Sequence, residues 1–71
     1  MSYYQDKQRF KLLIEDKLKE IEPGQKIRRA FLYDKGLTLY GFGKKTVDYI
    51  IDTGFVNVNR VGLDEEGNIV K

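Results

Sequence analysis

The chain is 71 residues long, carries 13 Lys and Arg against 11 Asp and Glu for a net charge of +2, and holds neither cysteine nor histidine. That length fits one domain, near the lower limit at which a single core holds a fold without covalent or metal staples. The composition excludes disulfides, thiolate or imidazole metal sites and Cys- or His-based catalysis, so no cofactor, no metal and no enzymatic activity are expected. No apolar run approaches the roughly 18 residues of a membrane span, and MSYYQDKQRF lacks the apolar centre of a secretory signal. A soluble, cytoplasmic protein without a membrane partner is expected.

The first 21 residues predict a helix. Ser2 and Gln5 have the spacing of a capping box, and Phe10, Leu13, Ile14, Leu18 and Ile21 recur at helical intervals until Pro23-Gly24 stops the pattern. Helix 1 is expected over about 3–21. Glu15 and Lys19 stand at a favourable i,i+4 spacing, as on a solvated helix packed on one side. Leu12 and Tyr4 lie off the main stripe and leave a dimerisation helix open.

After the break, Ile27, Ala30 and Phe31 predict a second helix over about 25–34, closed by Gly36 as a left-handed cap. Arg28 and Arg29 then fall off the apolar stripe, on or near solvent. A hairpin is the rival reading of 30–40, because AFLY and LTLY flank the turn-like Asp34-Lys35-Gly36 and both are rich in strand formers.

Next comes YGFGKKTVDYIIDTGFV, residues 40–56. Val47, Ile50 and Ile51 predict a helix over about 44–52, ended by Thr53-Gly54. Lys44 and Lys45 begin it, at the end where the helix dipole least welcomes cations, so an anionic partner would offset a local electrostatic cost. GFG is too short for a phosphate loop and lacks its Lys-Ser/Thr ending. Beyond Gly54, Phe55, Val56 and Val58 are interleaved with Asn57 and Asn59 in the period-two pattern of a strand. DEEGN supplies a hairpin turn, with Gly67 suited to positive φ, and 68–71 returns as the second strand, giving a hairpin over about 55–71.

Charge is distributed unevenly along these elements. Residues 1–24 are balanced, whereas 25–45 carry six basic side chains (Lys26, Arg28, Arg29, Lys35, Lys44, Lys45) against Asp34, and the remainder is net acidic. One face can therefore be strongly positive while the whole is nearly neutral. Tyr3, Tyr4, Tyr33 and Tyr40 suit the rim of a core, although aromatics among basic residues also serve single-strand binders.

The run YGFGKKTVDYIIDTGFV followed by a hairpin around DEEG resembles the helix-turn-helix and wing of winged-helix DNA-binding proteins, most like the small regulators of archaea and their viruses and plasmids. Gly41 in the turn, Phe42 before the helix, Thr46-Val47 inside it and Gly54-Phe55 leading to the wing carry the resemblance, which covers roughly 27–70. It implies an α+β winged helix-turn-helix: three helices followed by a C-terminal β-hairpin wing. It also implies a transcriptional regulator that binds double-stranded DNA with modest sequence specificity. The helix from Lys44 would enter the major groove, Lys44 and Lys45 meeting phosphate or guanine edges, and Thr46 and Tyr49 offering hydroxyls. Arg28 and Arg29 would touch flanking phosphates, and Asn57, Asn59 and Arg60 would be the wing's share. The acidic tip Asp64-Glu65-Glu66 repels phosphate, which leaves wing contact to its strands.

A homodimer on a two-fold site is expected, through helix 1 or the C-terminal strand. Two other functions stay open at this point. One is a winged-helix protein–protein interaction module without DNA binding; the other is an RNA or single-strand binder built on the hairpin reading of 30–40.

Overall fold

In the computed structural model, which describes residues 2–71, α1 (Tyr3–Glu20) is followed by β1 (Lys26–Ile27) and α2 (Arg29–Tyr40). Next come α3 (Lys44–Tyr49), a π-helical turn (Ile50–Phe55) and α4 (Val56–Asn59), which run on as one helical rod, and then β2 (Gly62–Leu63) and β3 (Ile69–Val70). The sheet order is β1-β3-β2, all antiparallel, with Ile27 and Leu63 both opposite Ile69. The fold is thus α+β, three helical units and a small three-stranded sheet. Among the described residues no helix is long and apolar enough to cross a membrane.

Helix α1 forms where its sequence signals place it. Ser2 Oγ accepts the Gln5 backbone N–H at 3.2 Å, and Phe10, Ile14 and Leu18 face the core. Its C-terminal carbonyls find a partner from the far end of the chain: Lys71 Nζ donates to the carbonyls of Leu18 (2.6 Å) and Ile21 (2.7 Å), placing a cation where the helix dipole favours one.

The second helix is shifted from its expected place. Lys26 and Ile27, expected as its first turn, pair with Val70 and Ile69, and the helix starts only at Arg29. It runs through 30–40, so the hairpin reading of that segment is overturned. Gly36, expected as the cap, lies buried inside it, and Gly41 is the left-handed cap, with φ 72°. The reason is packing. A Cβ at Gly36 would stand 2.7 Å from Val47 Cγ2, so the missing side chain lets α2 and α3 approach closely.

The third helix is longer than expected and replaces the expected first strand of the wing. Thr53-Gly54 does not end it; Gly54 sits in the π turn with the Lys11 side chain laid over it, and the rod continues to Asn59. In an unbroken α-helix at about 100° per residue, Val58 would fall on the face of Val47 and Ile51. The wider turn, in which the Val56 N–H bonds to the Ile51 carbonyl, rotates the last residues. Phe55 takes the core position at 0% exposure, and Val58 is turned out to 76%. Arg60, at φ 53°, closes the rod as its left-handed cap.

The core joins Phe10, Ile14 and Leu18 of α1 to Leu32, Phe42, Val47, Ile50, Ile51 and Phe55, with Ile27 and Ile69 from the sheet. Phe42 anchors the turn between α2 and α3: its ring stacks on Tyr40 (centroids 5.4 Å apart) and meets Phe10 and Tyr3 edge-on. The hairpin of β2 and β3 is shorter than expected, but DEEGN is its turn, and Gly67 has φ 83°. Because β3 is the central strand, both its edges are taken, so the C-terminal strand offers no open edge to a second copy.

Candidate nucleic-acid interface

The segment 41–43 joins α2 to α3, with Phe42 buried and the two glycines exposed, so the start of α3 is fixed to the core by one aromatic side chain. Gly43 precedes the helix without a side-chain cap, and Lys44 and Lys45 occupy its exposed first turn. Lys44 Nζ lies over the Tyr33 ring, 5.5 Å from its centroid. Lys45, Tyr49 and Thr53 follow at i,i+4 spacing and are all exposed, Tyr49 by 60%. Thr46, expected to offer its hydroxyl, is half-buried beside this row. The Thr53 hydroxyl donates to the Tyr49 carbonyl, which leaves the oxygen of this exposed residue able to act as an acceptor.

Arg29 is not at the surface. It is buried, with only 7% of its area exposed, and each nitrogen of its guanidinium donates a hydrogen bond: Nε to the Gly67 carbonyl (2.7 Å), Nη1 to Asp48 (3.1 Å) and Nη2 to Asp52 (3.0 Å). The expected phosphate contact is therefore replaced by a clamp that ties α2, the helical rod and the hairpin turn together. Arg28, the residue before the helix, is exposed. Tyr33 joins the clamp by donating its hydroxyl to Asp48 (2.6 Å); that bond to a carboxylate, with partial burial, holds its phenol above the usual range.

The residues expected to act from a wing strand lie elsewhere. Asn57 is exposed on α4, Asn59 turns its amide back to the Phe55 carbonyl (3.1 Å), and Arg60 is the exposed cap of the rod. The sequence pattern misleads because Phe55-Val56-Asn57-Val58-Asn59 satisfies a two-residue period, whereas Ile51-Phe55 continues the helical one. Thr53 belongs to the exposed row although Thr53-Gly54 has the composition of a helix stop, which hides it in the sequence. No protein-family model, curated protein or solved structure matches the chain.

The hairpin turn is held by Asp64 and Asn68. Asp64 Oδ1 accepts the backbone N–H groups of Glu66 (3.0 Å) and Asn68 (2.8 Å), and its Oδ2 accepts from the Asn68 amide (2.9 Å) and Lys26 Nζ (3.1 Å). Buried Asn68 in turn accepts the Arg29 backbone N–H at 2.8 Å, capping α2 from across the fold where Arg28 supplies no side-chain cap. Of the acidic tip, Glu65 and Glu66 are exposed and Asp64 is half-buried. The Asn68 amide, followed by its backbone N–H and Lys26, holds the Asp64 carboxyl well below the usual carboxylate range.

Since the folded form binds this proton less readily than the unfolded chain, Asp64 stabilises the fold above the unfolded value of about 4, and that contribution is lost as pH falls further. Asp64→Asn will be less stable than the parent at neutral pH and will lose less on acidification from about pH 5 to pH 2. Thermal melts of both proteins across that range check it.

Proposed function

We propose that the chain is a winged helix-turn-helix domain that binds double-stranded DNA as a transcriptional regulator, with no catalytic step. The observation that carries this reading is the exposed row Lys45, Tyr49 and Thr53, with Lys44 beside it, on a helix joined to α2 by a three-residue turn and pinned by its apolar side. The order helix–strand–helix–helix–strand–strand, with the last strand central, is compatible with that fold.

In this mechanism the positive end of α3 approaches the duplex, where Lys44 and Lys45 neutralise phosphates or meet guanine edges and Tyr49 and Thr53 present hydroxyls to backbone or base. Arg28 adds a flanking phosphate contact. Arg29 works from behind: it compensates Asp48 and Asp52, whose carboxylates would otherwise repel phosphate from the same helix. Asn57 and Arg60 extend the surface from the end of the rod rather than from a wing, and exposed Glu65 and Glu66 keep the hairpin tip away from a minor groove.

Duplex titration at two salt concentrations tests this. Binding will weaken steeply with salt, and Lys44→Ala with Lys45→Ala will reduce the slope of log affinity against log salt by up to about 2, close to 0.9 for each phosphate that is no longer neutralised. Absence of binding at low salt overturns the reading and leaves a protein-interaction module in its place.

A further inference from the structure

On the flank of α2 away from α3 lies an open groove of about 530 Å³ between α1 and α2. Phe31 and Lys35, which line it, stand on the opposite side of α2 from Tyr33, the residue that reaches Asp48 and Lys44. Its apolar part is Leu13 and Phe31, both half-buried, flanked by Leu12 and Leu39, which stay 57% and 54% exposed. Lys17 and Lys35 lay their ammonium groups over the Phe31 ring, at 5.5 and 5.6 Å. Asp16 and Glu20 put the opposite sign on the same rim.

We propose that this groove is the interface of a two-fold symmetric dimer of the chain, built on antiparallel packing of α1 against α1. The spacing along α1 supports a second copy as the occupant. About a two-fold axis passing between Leu12 and Leu13, residues equidistant from that point meet: Leu12 faces the partner's Leu13, and Arg9 faces the partner's Asp16. The same register sets Glu20 opposite the partner's Gln5, so no like charges oppose each other at these positions. A uniformly acidic or basic peptide would find part of the same rim repulsive, whereas this chain complements itself. Leu39 and Phe31 of α2 widen the apolar seam. The helix carrying Lys44 and Lys45 remains outside the contact, and the proposal stands independently of DNA binding.

Sedimentation of the full chain from micromolar to millimolar concentration tests it. A reversible monomer–dimer equilibrium is expected, and Leu12→Glu, at an exposed position that leaves the fold intact by circular dichroism, will weaken it roughly tenfold or more. Arg9→Glu and Asp16→Arg will each weaken it, and the double reversal will restore it, because each site then faces its complement in the partner. A chain that is monomeric throughout, a dimer indifferent to Leu12→Glu, or single reversals that the double does not rescue would overturn the proposal.

Discussion

Phe55→Ala will destabilise the fold by about 3–5 kcal/mol, the usual cost of emptying a fully buried aromatic site. A chain of this length has roughly 4–10 kcal/mol of stability in all, so much of the variant will be unfolded at moderate temperature. The side chain is wholly buried in the core that α1 and the rod's own Ile50 and Ile51 share. Val58→Thr, by contrast, will change stability by less than about 0.5 kcal/mol, since Val58 is largely in solvent. The pair discriminates between two backbones. A strand over 55–59 would bury Val56 and Val58 on one face and turn Phe55 outward with Asn57, which reverses the two results. Urea denaturation of both variants decides it.

The second large effect is expected at Arg29. Arg29→Met will cost about 2–3 kcal/mol, because it removes three hydrogen bonds donated by a charged group and leaves the Gly67 carbonyl without that donor. The cost stays below that of breaking a wholly buried ion pair, since Asp48 and Asp52 are 42% and 49% exposed and recover water. Arg29→Lys will recover little of it: one ammonium cannot reach three acceptors set out for a planar fork. With Asp48→Asn and Asp52→Asn already in place, the same Arg29→Met change will cost measurably less in denaturant melts. If the chain binds duplex DNA as proposed, Arg29→Met will lower the affinity without reducing the salt slope, because the guanidinium touches no phosphate. A slope smaller by about 0.9 would return Arg29 to the interface.

Local chemistry is legible wherever a signal and its consequence lie within a few residues. Ser2 and Gln5 start α1, its apolar stripe buries Phe10, Ile14 and Leu18, Pro23-Gly24 ends it, and DEEGN turns the hairpin with Gly67 at positive φ. The exposed lysines at the start of α3 are legible for the same reason. Arg29 is not: in sequence it is one of two adjacent arginines, and nothing local separates the one that faces solvent from the one that is buried.

What the sequence by itself determined is the apolar stripe of α1, the helical spacing of Val47, Ile50 and Ile51, the turns at Pro23-Gly24 and DEEGN, and the concentration of positive charge in 25–45. The stripe expected for α2 is replaced, since Ala30 is exposed and Leu32 takes the core position. Only the tertiary structure decided where α2 begins, how far the rod runs and what Arg29 does, because each depends on a partner distant along the chain. Ile27 becomes a strand because Ile69 pairs with it, and α2 then starts at Arg29, whose N–H finds Asn68. Gly36 stays helical because Val47 fills the space a side chain would need, and Gly54 stays helical because burial of Ile51 and Phe55 on either side outweighs a propensity cost of about 1 kcal/mol. Propensity acts residue by residue, whereas these choices were made by burial and hydrogen bonding between segments that meet only in the folded chain.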